Sequence, residues 1–409
     1  MKRVLMWATA FMVFFPAFSQ KNIILKGIVL DADDGQGVSF AHVGLVDKAV
    51  GTVTNEHGEF VLNLTPVHLN DTLGVSAIGY ATYRFPVKNC VNLDYLSIQL
   101  QPVTTMLQEM VISDEKITGR RVLQKAIARI SDNYPGKPFQ LDGYYRDYMK
   151  KDGNYISFLE GAISVFDLGF RKSDNKSRIK INQLRYGEDY EENFDKYIEK
   201  DPYDTLKVLI EGESPFFNGN ELNNMRSNDP IRNHGNSVSF IGVFDEFYNS
   251  NYDFEIAYYT FVNDDEVFVI HFEPKAKYGY LHVDAFGEIY IRVKDFAIIK
   301  LNYNYYVAKI DGKKKLYELN VEYRDHQNKM YLKYLSYVNY FKIFTGDEIA
   351  QIYQYREFFV NDIQNESVKA ISKDEMINSD IPLHQQGVEH DPDFWNNYNM
   401  IMMEQPYKN

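Results

Sequence analysis

Histidine–carboxylate pairs are the residues of this sequence whose types and spacing come nearest to metal-binding chemistry. Three histidines have an acid two positions later, a spacing that puts both side chains on one face of a strand: His57 with Glu59, His271 with Glu273, and His282 with Asp284. A zinc peptidase needs His-x-x-Glu and a later third ligand, because three protein ligands hold the metal and leave one position open. None of the nine histidines has Glu three residues later, so we predict no metal site and no cofactor.

Other catalytic patterns are equally weak in this chain. No Gly-x-Ser-x-Gly elbow and no glycine-rich phosphate loop occurs. The single cysteine, Cys90, lacks the local signature of a nucleophile, so we expect it to be buried in a core. Acidic runs at 188–192 and 264–266 offer paired carboxylates, but neighbouring acids in a turn usually face water. The sequence therefore predicts no catalytic residue, and an envelope hydrolase is only a third interpretation of the function.

An acidic run near the N-terminus resembles a calcium-binding loop. Asp31, Asp33 and Asp34 are followed by Gly35, but an EF-hand would need Glu eleven residues after the first Asp, where His42 stands. We therefore expect a solvated turn here.

The amino-acid composition indicates which class of protein carries these residues. Of the 409 residues, 45% are hydrophobic and 25% charged, as in ordinary globular domains. The 32 Tyr and 28 Phe favour strands, because aromatic rings fit a pleated, half-buried surface. A net charge of −13 argues against a nucleic-acid partner. One cysteine excludes an intrachain disulfide.

The first residues are typical of a secretory signal peptide. Lys2 and Arg3 precede an apolar run at 4–15, and Ala17-Phe18-Ser19 provides a small-x-small cleavage site. We expect residues 1–19 to be removed and no spanning helix to remain. The predicted location is the periplasm or the periplasmic face of the outer membrane.

Residues 20–112 have short alternating segments broken by turn residues about every ten positions, the pattern of a β-sandwich. The alternation predicts strands without any helix, at 23–30, 38–46, 51–54, 59–64, 71–78 and 96–100. Gly58 is expected to take a positive φ in a hairpin turn, and Gly79 to permit a bend before Tyr80.

Motifs in this stretch resemble the carboxypeptidase-regulatory-like domain over residues about 21–112. The residues that carry the resemblance are, in order, Gly27-x-Val29-x-Asp31, Val38-x-x-Ala41-x-Val43, Gly51-Thr52-x-Thr54-Asn55-x-x-Gly58-Glu59-Phe60 and Leu73-x-Val75-Ser76-x-x-Gly79-Tyr80. Ser39 stands where Pro is usual and Asn55 where Asp is usual, and both preserve the turn chemistry. The resemblance implies a seven-stranded sandwich, transthyretin-like or immunoglobulin-like, without catalytic residues of its own.

Residues 113–362 are predicted to form a larger β-rich α+β domain, a curved antiparallel sheet with a packed helix. Apolar residues at helical spacing predict a helix over 118–133, which Pro135 ends. Alternation predicts strands at 141–149, 155–165, 179–184, 254–261, 266–272, 287–293, 296–306, 315–324, 329–344 and 348–360.

Two segments interrupt or follow this pattern. The insertion at 186–237 is polar, and a structureless segment of this length is either a functional lid or a surface elaboration. Its aromatic pair, Phe216 and Phe217, is the candidate for ligand binding. The tail at 363–409 is polar, and we expect it to be at best partly ordered.

The second domain also has weaker resemblances. One segment resembles part of uncharacterised envelope proteins of Bacteroidota. It consists of the predicted helix, then Asn133-Tyr134-Pro135, then Tyr144-Tyr145-Arg146-Asp147. A curved sheet with a helix packed on it is loosely similar to the half-barrel of lipoprotein carriers such as LolA, an analogy of fold only.

These features favour a non-catalytic periplasmic protein, a binding or carrier protein or an adaptor, for a lipid, glycan or protein ligand. The alternative is an outer-membrane β-barrel over residues 140–360 with the N-terminal domain as a periplasmic plug, because barrel strands also alternate and are rich in aromatics. A carrier would need the inward face of the hairpin at 289–305 to line a cavity, rather than to be filled by the helix at 118–133.

Overall fold

The computed structural model describes most of both predicted domains. The described residues are 22–103, 117–171, 177–187, 222, 229–234, 242–244, 249–275, 283–309, 312–345, 348–379, 381–388 and 391–403. The predicted signal peptide and the pair Phe216 and Phe217 lie outside these residues. Within the described part of the chain, no helix is both long and apolar enough to cross a membrane.

The N-terminal unit is a sandwich of seven strands: β1 (Ile23–Asp31), β2 (His42–Leu45), β3 (Gly51–Val53), β4 (Glu59–Leu64), β5 (Thr72–Ser76), β6 (Tyr83–Pro86) and β7 (Leu96–Leu100). Three strands form one sheet in the order β4-β1-β7, and four form the other in the order β3-β2-β5-β6. Side chains such as Val29, Phe60 and Leu73 fill the space between the sheets and are fully buried. The predicted sandwich is confirmed, although two short 3-10 helices, at Pro66–His68 and Val87–Asn89, were not expected.

The turn before β4 follows the chemistry expected of its residues. Gly58 has a φ of +84°, and a Cβ at this position would lie 2.4 Å from the carbonyl oxygen of Val29. The side-chain oxygen of Asn55 accepts hydrogen bonds from the backbone N–H groups of His57 at 3.0 Å and Glu59 at 2.9 Å. Asn55 therefore closes the turn as Asp would.

The second unit is a ten-stranded antiparallel sheet: β8 (Phe139–Lys151), β9 (Asn154–Asp167), β10 (Arg178–Tyr186), β11 (Tyr252–Val262), β12 (Asp265–Pro274), β13 (Val283–Arg292), β14 (Ile298–Lys309), β15 (Gly312–His326), β16 (Lys329–Thr345) and β17 (Glu348–Gln364). The spatial order is β10-β9-β8-β17-β16-β15-β14-β13-β12-β11. The meander from β11 to β17 thus closes against β8, the first strand of the domain. The mainly β prediction is confirmed.

On one face of this sheet, which we call the helix face, α1 (Gly119–Ala128) packs against β11, β12 and β13, and α2 (Ile130–Asn133) follows it. The hydroxyl of Thr118 caps α1 by accepting from the N–H of Arg121. Val122, Leu123 and Ala126 belong to the same buried cluster as Ile289, Ile291 and Leu301 on β13 and β14. On its inward face the 289–305 hairpin therefore packs into the same buried core as the helix.

The opposite face, which we call the sandwich face, meets the N-terminal unit and part of the tail. The tail contains a short 3-10 helix at Leu383–Gln385 and α3 (Pro392–Trp395). Trp395 and Ile401 are buried in a cluster that includes Val53 of the sandwich and, from the sheet, Tyr144, Ala162, Tyr334 and Phe359. Two large apolar side chains among polar ones thus anchor the described part of the tail, for which at best partial order was expected.

Hydrogen bonds reinforce this junction. The backbone N–H of Asn63, on β4, donates to the side-chain oxygen of Asn399 at 2.7 Å, and the amide of Asn399 donates back to the carbonyl of Asn63 at 3.2 Å. The tail therefore holds the sandwich against the sheet.

Candidate functional site

A cleft of about 630 Å³ separates the sandwich from the sandwich face of the large sheet. The sandwich contributes β2 and its flanking loops, including Phe40 and His42, and the sheet contributes β14 to β16, including Lys300, Glu322 and Lys333. Its volume lies within the range of about 300–1,000 Å³ that is usual for small-ligand sites. It is therefore the candidate site, made jointly by the two domains.

A β-bulge determines the direction of one cationic side chain in the cleft, that of Lys333. Lys300 on β14 lies directly opposite Glu322 on β15, whereas the register between β15 and β16 shifts after Glu322 and leaves Lys333 as the extra residue. Bulges redirect side chains in this way. As a result both ammonium groups reach one carboxylate, Lys300 at 2.9 Å and Lys333 at 3.0 Å.

This triad carries one uncompensated positive charge. Burial alone would raise the pKa of the Glu322 carboxyl, but attraction to Lys300 and Lys333 and their hydrogen bonds outweigh it and hold the pKa well below its usual range. Glu322 is therefore ionised, and it can neutralise only one of the two lysines.

Arg324 adds a second positive charge without a carboxylate. One of its guanidinium nitrogens donates to two backbone carbonyls, those of Ala49 at 3.3 Å and Val360 at 3.0 Å. Its Nε and Nη1 atoms are buried and have no hydrogen-bond partner. Burial lowers the pKa of Arg324 to about 10, only partly opposed by the charge of Asp362. The guanidinium remains charged at neutral pH and is poorly satisfied.

His42 responds to this positive field. Its imidazole lies against the backbone of Gly44 and Gly51, where a Cβ at either glycine would come within 3.0 Å of the ring. Burial, followed by repulsion from Lys333 and Arg324, holds the pKa of His42 well below 6.5, and Glu322 only partly opposes this. The Nε2 atom has no hydrogen-bond partner. The imidazole is therefore neutral, and the cleft is electropositive inside an acidic protein.

At the rim of the cleft the cations are neutralised. Lys48 pairs with Asp71 at 2.6 Å, and Arg84 pairs with Asp264 at 2.8 Å. The second pair joins the sandwich to the β11–β12 hairpin. The excess charge is thus confined to the interior of the cleft.

Two other buried arginines of the sheet each face a carboxylate. Arg146 contacts Glu357, whose other oxygen accepts from the hydroxyl of Tyr334. Arg356 pairs with Asp147 at 3.0 Å. Such pairs fix the register of strands, because a buried charge without its partner is costly.

The residues singled out from the sequence occupy structural positions. The carboxylate of Asp31 accepts from the hydroxyl of Tyr80 at 2.7 Å and from the backbone N–H of Asp33 at 2.7 Å. Cys90 is buried, which raises the pKa of its thiol. Among the described residues, no group of three or more His, Cys, Asp or Glu side chains could hold a metal ion.

Sequence reasoning missed the cleft residues. Alternation placed Glu322 and Arg324 on one face of a strand, but nothing in the sequence shows that His42, about 280 positions earlier, faces them. The one available signal was a series of polar residues at every second position of β15 from Glu318 to Arg324, a pattern that a solvated strand face would also show.

Comparison with solved structures gives only distant likenesses. The structure of a DUF1329 family protein from Desulfovibrio piger has 6% identity and a TM-score of 0.25, and the match covers 62% of this chain and 95% of that one. The structure described as lipid–protein interactions in lipovitellin has 10% identity and a TM-score of 0.23, over 60% of this chain and 27% of that one. Scores this low establish no shared fold, and the LolA-like resemblance stays a prediction.

Comparison by sequence is informative for the sandwich. No curated protein matches the chain. The family model of the CarboxypepD_reg-like domain matches residues 25–112, which contain all seven strands of the sandwich apart from the first two residues of β1. The N-terminal unit of this protein is therefore a CarboxypepD_reg-like domain.

Proposed function

We propose that this protein is a non-catalytic binding protein of the cell envelope, which holds an anionic group of its ligand or partner in the cleft between the sandwich and the sheet. The observation that carries the proposal is Arg324, a buried guanidinium without a carboxylate that lines a cleft built by both domains. An anion at this position would supply the missing acceptor.

The charge of the cleft favours this class of ligand. Lys300, Lys333 and Arg324 line the cleft with Glu322, whereas the two other lining carboxylates, Asp47 and Asp325, are exposed to solvent. A poorly solvated, electropositive cleft attracts anions more strongly than an exposed patch does, because the local dielectric is low.

The position of the cleft supports an adaptor or binding role over an open carrier. A ligand there would contact the sandwich and the sheet at once, and would link the two domains. On the helix face, where a carrier would need a cavity, Val122, Leu123 and Ala126 share a buried core with the 289–305 hairpin.

Placement in the envelope is supported by the sequence alone. Lys2 and Arg3, the apolar run at 4–15 and the small residues before Gln20 follow the pattern of an exported protein. The ligand would then be a lipid, glycan or protein of the periplasmic side, with the anionic group as the common feature.

Thermal unfolding with inorganic phosphate as the probe tests the proposal. We expect phosphate to raise the Tm relative to chloride at equal ionic strength, because a ligand at about 100 times its Kd stabilises the folded state by about 2.7 kcal/mol. Lys333→Gln should lose this increase, and Lys369→Gln, an exposed lysine outside the cleft, should keep it. An equal Tm in phosphate and chloride for the unaltered protein would refute the proposal.

A further inference from the structure

A second concave surface lies on the same face of the large sheet. It is a groove of about 520 Å³ across β12, β13 and β14, lined by His271, Phe286, Gly287, Glu288, Asn302, Asn304 and Tyr306. None of these residues lines the cleft. Asn302 follows Lys300 by two positions on β14, so the groove begins about 7 Å along the strand from the cleft.

The groove lies at one end of a row of polar side chains that crosses the sheet. Strand register places one polar residue of each of the ten strands in this row: Glu255, His271, Glu288, Asn302, Asn320, Ser336, Glu357, Arg146, Glu160 and Arg185. Their alternation explains why this face is polar while the helix face is apolar.

From β15 onward the members of the row bind one another. Asn320 donates to Glu318 and to the hydroxyl of Ser336, each at 3.3 Å. Glu357 contacts Arg146, and Glu160 contacts Arg185. These side chains leave little capacity for a ligand.

At the β12–β14 end fewer of the polar groups are used in bonds within the protein. Within the described part of the chain, the side chains of His271, Asn302 and Asn304 make no hydrogen bond to another protein group, and the side-chain oxygen of Asn302 is buried. Glu288 accepts from the hydroxyl of Tyr290 at 2.7 Å. A buried amide oxygen without a partner, as at Asn302, is unusual, because buried polar groups are normally satisfied, and His271 and Asn304 line the same groove half-buried.

The chemistry of the lining selects the ligand. Each Asn amide both donates and accepts, and the His271 imidazole does the same, so they match a ligand rich in hydroxyl groups. The rings of Phe286 and Tyr306 lie 5.8 Å apart at nearly a right angle and offer an apolar surface beside them. The lining has no cation, so the groove, unlike the cleft, has no attraction for a free anion.

A peptide strand is a poorer match. β12, β13 and β14 are each paired on both sides, so their backbone groups are already used in the sheet. Recognition of an added strand needs a free sheet edge. Only side chains are available here, which suits a compact polyhydroxyl ligand.

We propose that the groove across β12–β14 is a saccharide-binding site, in which Asn302, Asn304 and His271 bind sugar hydroxyls and Phe286 and Tyr306 pack against the apolar face of a sugar ring. The proposal does not depend on anion binding in the cleft.

Titration of the full mature chain with neutral oligosaccharides tests this site. The probes are maltotriose, cellotriose and chitotriose, followed by calorimetry and by the side-chain amide resonances of Asn302 and Asn304. We expect at least one probe to bind saturably at concentrations up to about 10 mM and to shift both amide resonances. Absence of saturable binding for all three would overturn the assignment.

Variants locate the site and separate it from the cleft. Asn304→Ala and Tyr306→Ala should each weaken binding at least tenfold, whereas the exposed controls Asn92→Ala and Tyr95→Ala should not change it. Binding should persist in Lys333→Gln and in saturating phosphate. Binding that survives both groove variants, or that phosphate displaces, would contradict the proposal, and in the second case the saccharide would belong to the cleft.

Discussion

Replacement of Arg324 by Met should leave the fold at least as stable as before. The pKa of Arg324 is about 10 in the fold against 12.5 for the free group, a difference that corresponds to about 3 kcal/mol against the charged form. Met removes this penalty and keeps the apolar stem. It also removes the hydrogen bonds to the carbonyls of Ala49 and Val360, at about 1 kcal/mol each. The expected net change is a gain of about 1 kcal/mol.

Chemical unfolding in urea at pH 7 and low phosphate measures this change. Arg129→Met is the matched control, because Arg129 is exposed on the surface beside α1, and its replacement should change the free energy of unfolding by less than about 0.5 kcal/mol. A loss of more than about 1 kcal/mol in Arg324→Met would refute the reasoning, since it would mean that the guanidinium is well satisfied. The stabilised variant should also lose the response to phosphate, as expected of a residue kept for binding.

Three further predictions follow from the junction, the cleft and the N-terminus. Trp395→Ala should cost about 3–5 kcal/mol in urea unfolding because Trp395 is 2% exposed, whereas Met376→Ala, 36% exposed, should cost far less; equal costs would contradict the packing of the tail. The pKa of His42 is lower in the fold than in the unfolded chain, so the unfolded chain binds a proton at His42 first as the pH falls. The contribution of His42 to the free energy of unfolding is therefore complete above about pH 6.5, and below it up to about 1.4 kcal/mol is lost per pH unit. His42→Leu should flatten that slope between pH 6.5 and 5, and an unchanged slope would exclude His42 as its source. Intact-mass measurement of protein exported from producing cells should give a chain that begins at Gln20; a chain that retains residues 1–19 would contradict export by cleavage.

Much of the fold could be predicted from local patterns. β4 and β7 were predicted with their observed bounds, because strict alternation of buried and exposed residues leaves one register. β6 was missed: it is a mostly exposed edge strand that ends in Pro86, so it has no apolar face to detect. The turn before β14 proved longer than predicted, because Asp295 accepts from the N–H of Ala297 and Phe296 takes a positive φ.

The candidate site could not be predicted in the same way. Electropositivity in the cleft depends on a bulge that turns Lys333 toward Glu322 and on a domain contact that buries Arg324 and His42. Both are tertiary features. From the sequence of the strand alone, the same residues indicate only a polar face in contact with solvent. The anchoring role of Trp395 was hidden for a similar reason, since a single aromatic in a polar tail has no periodicity.

The most direct test of the central claim follows the imidazole of His42 by NMR while inorganic phosphate is added. The His42 resonance is assigned by its absence in His42→Leu, and its pKa is measured at low and at saturating phosphate. We predict that phosphate raises the pKa of His42 toward its ordinary value, because a bound anion offsets the charges of Lys333 and Arg324. A pKa of His42 that does not change at any phosphate concentration would contradict binding of the anion in the cleft.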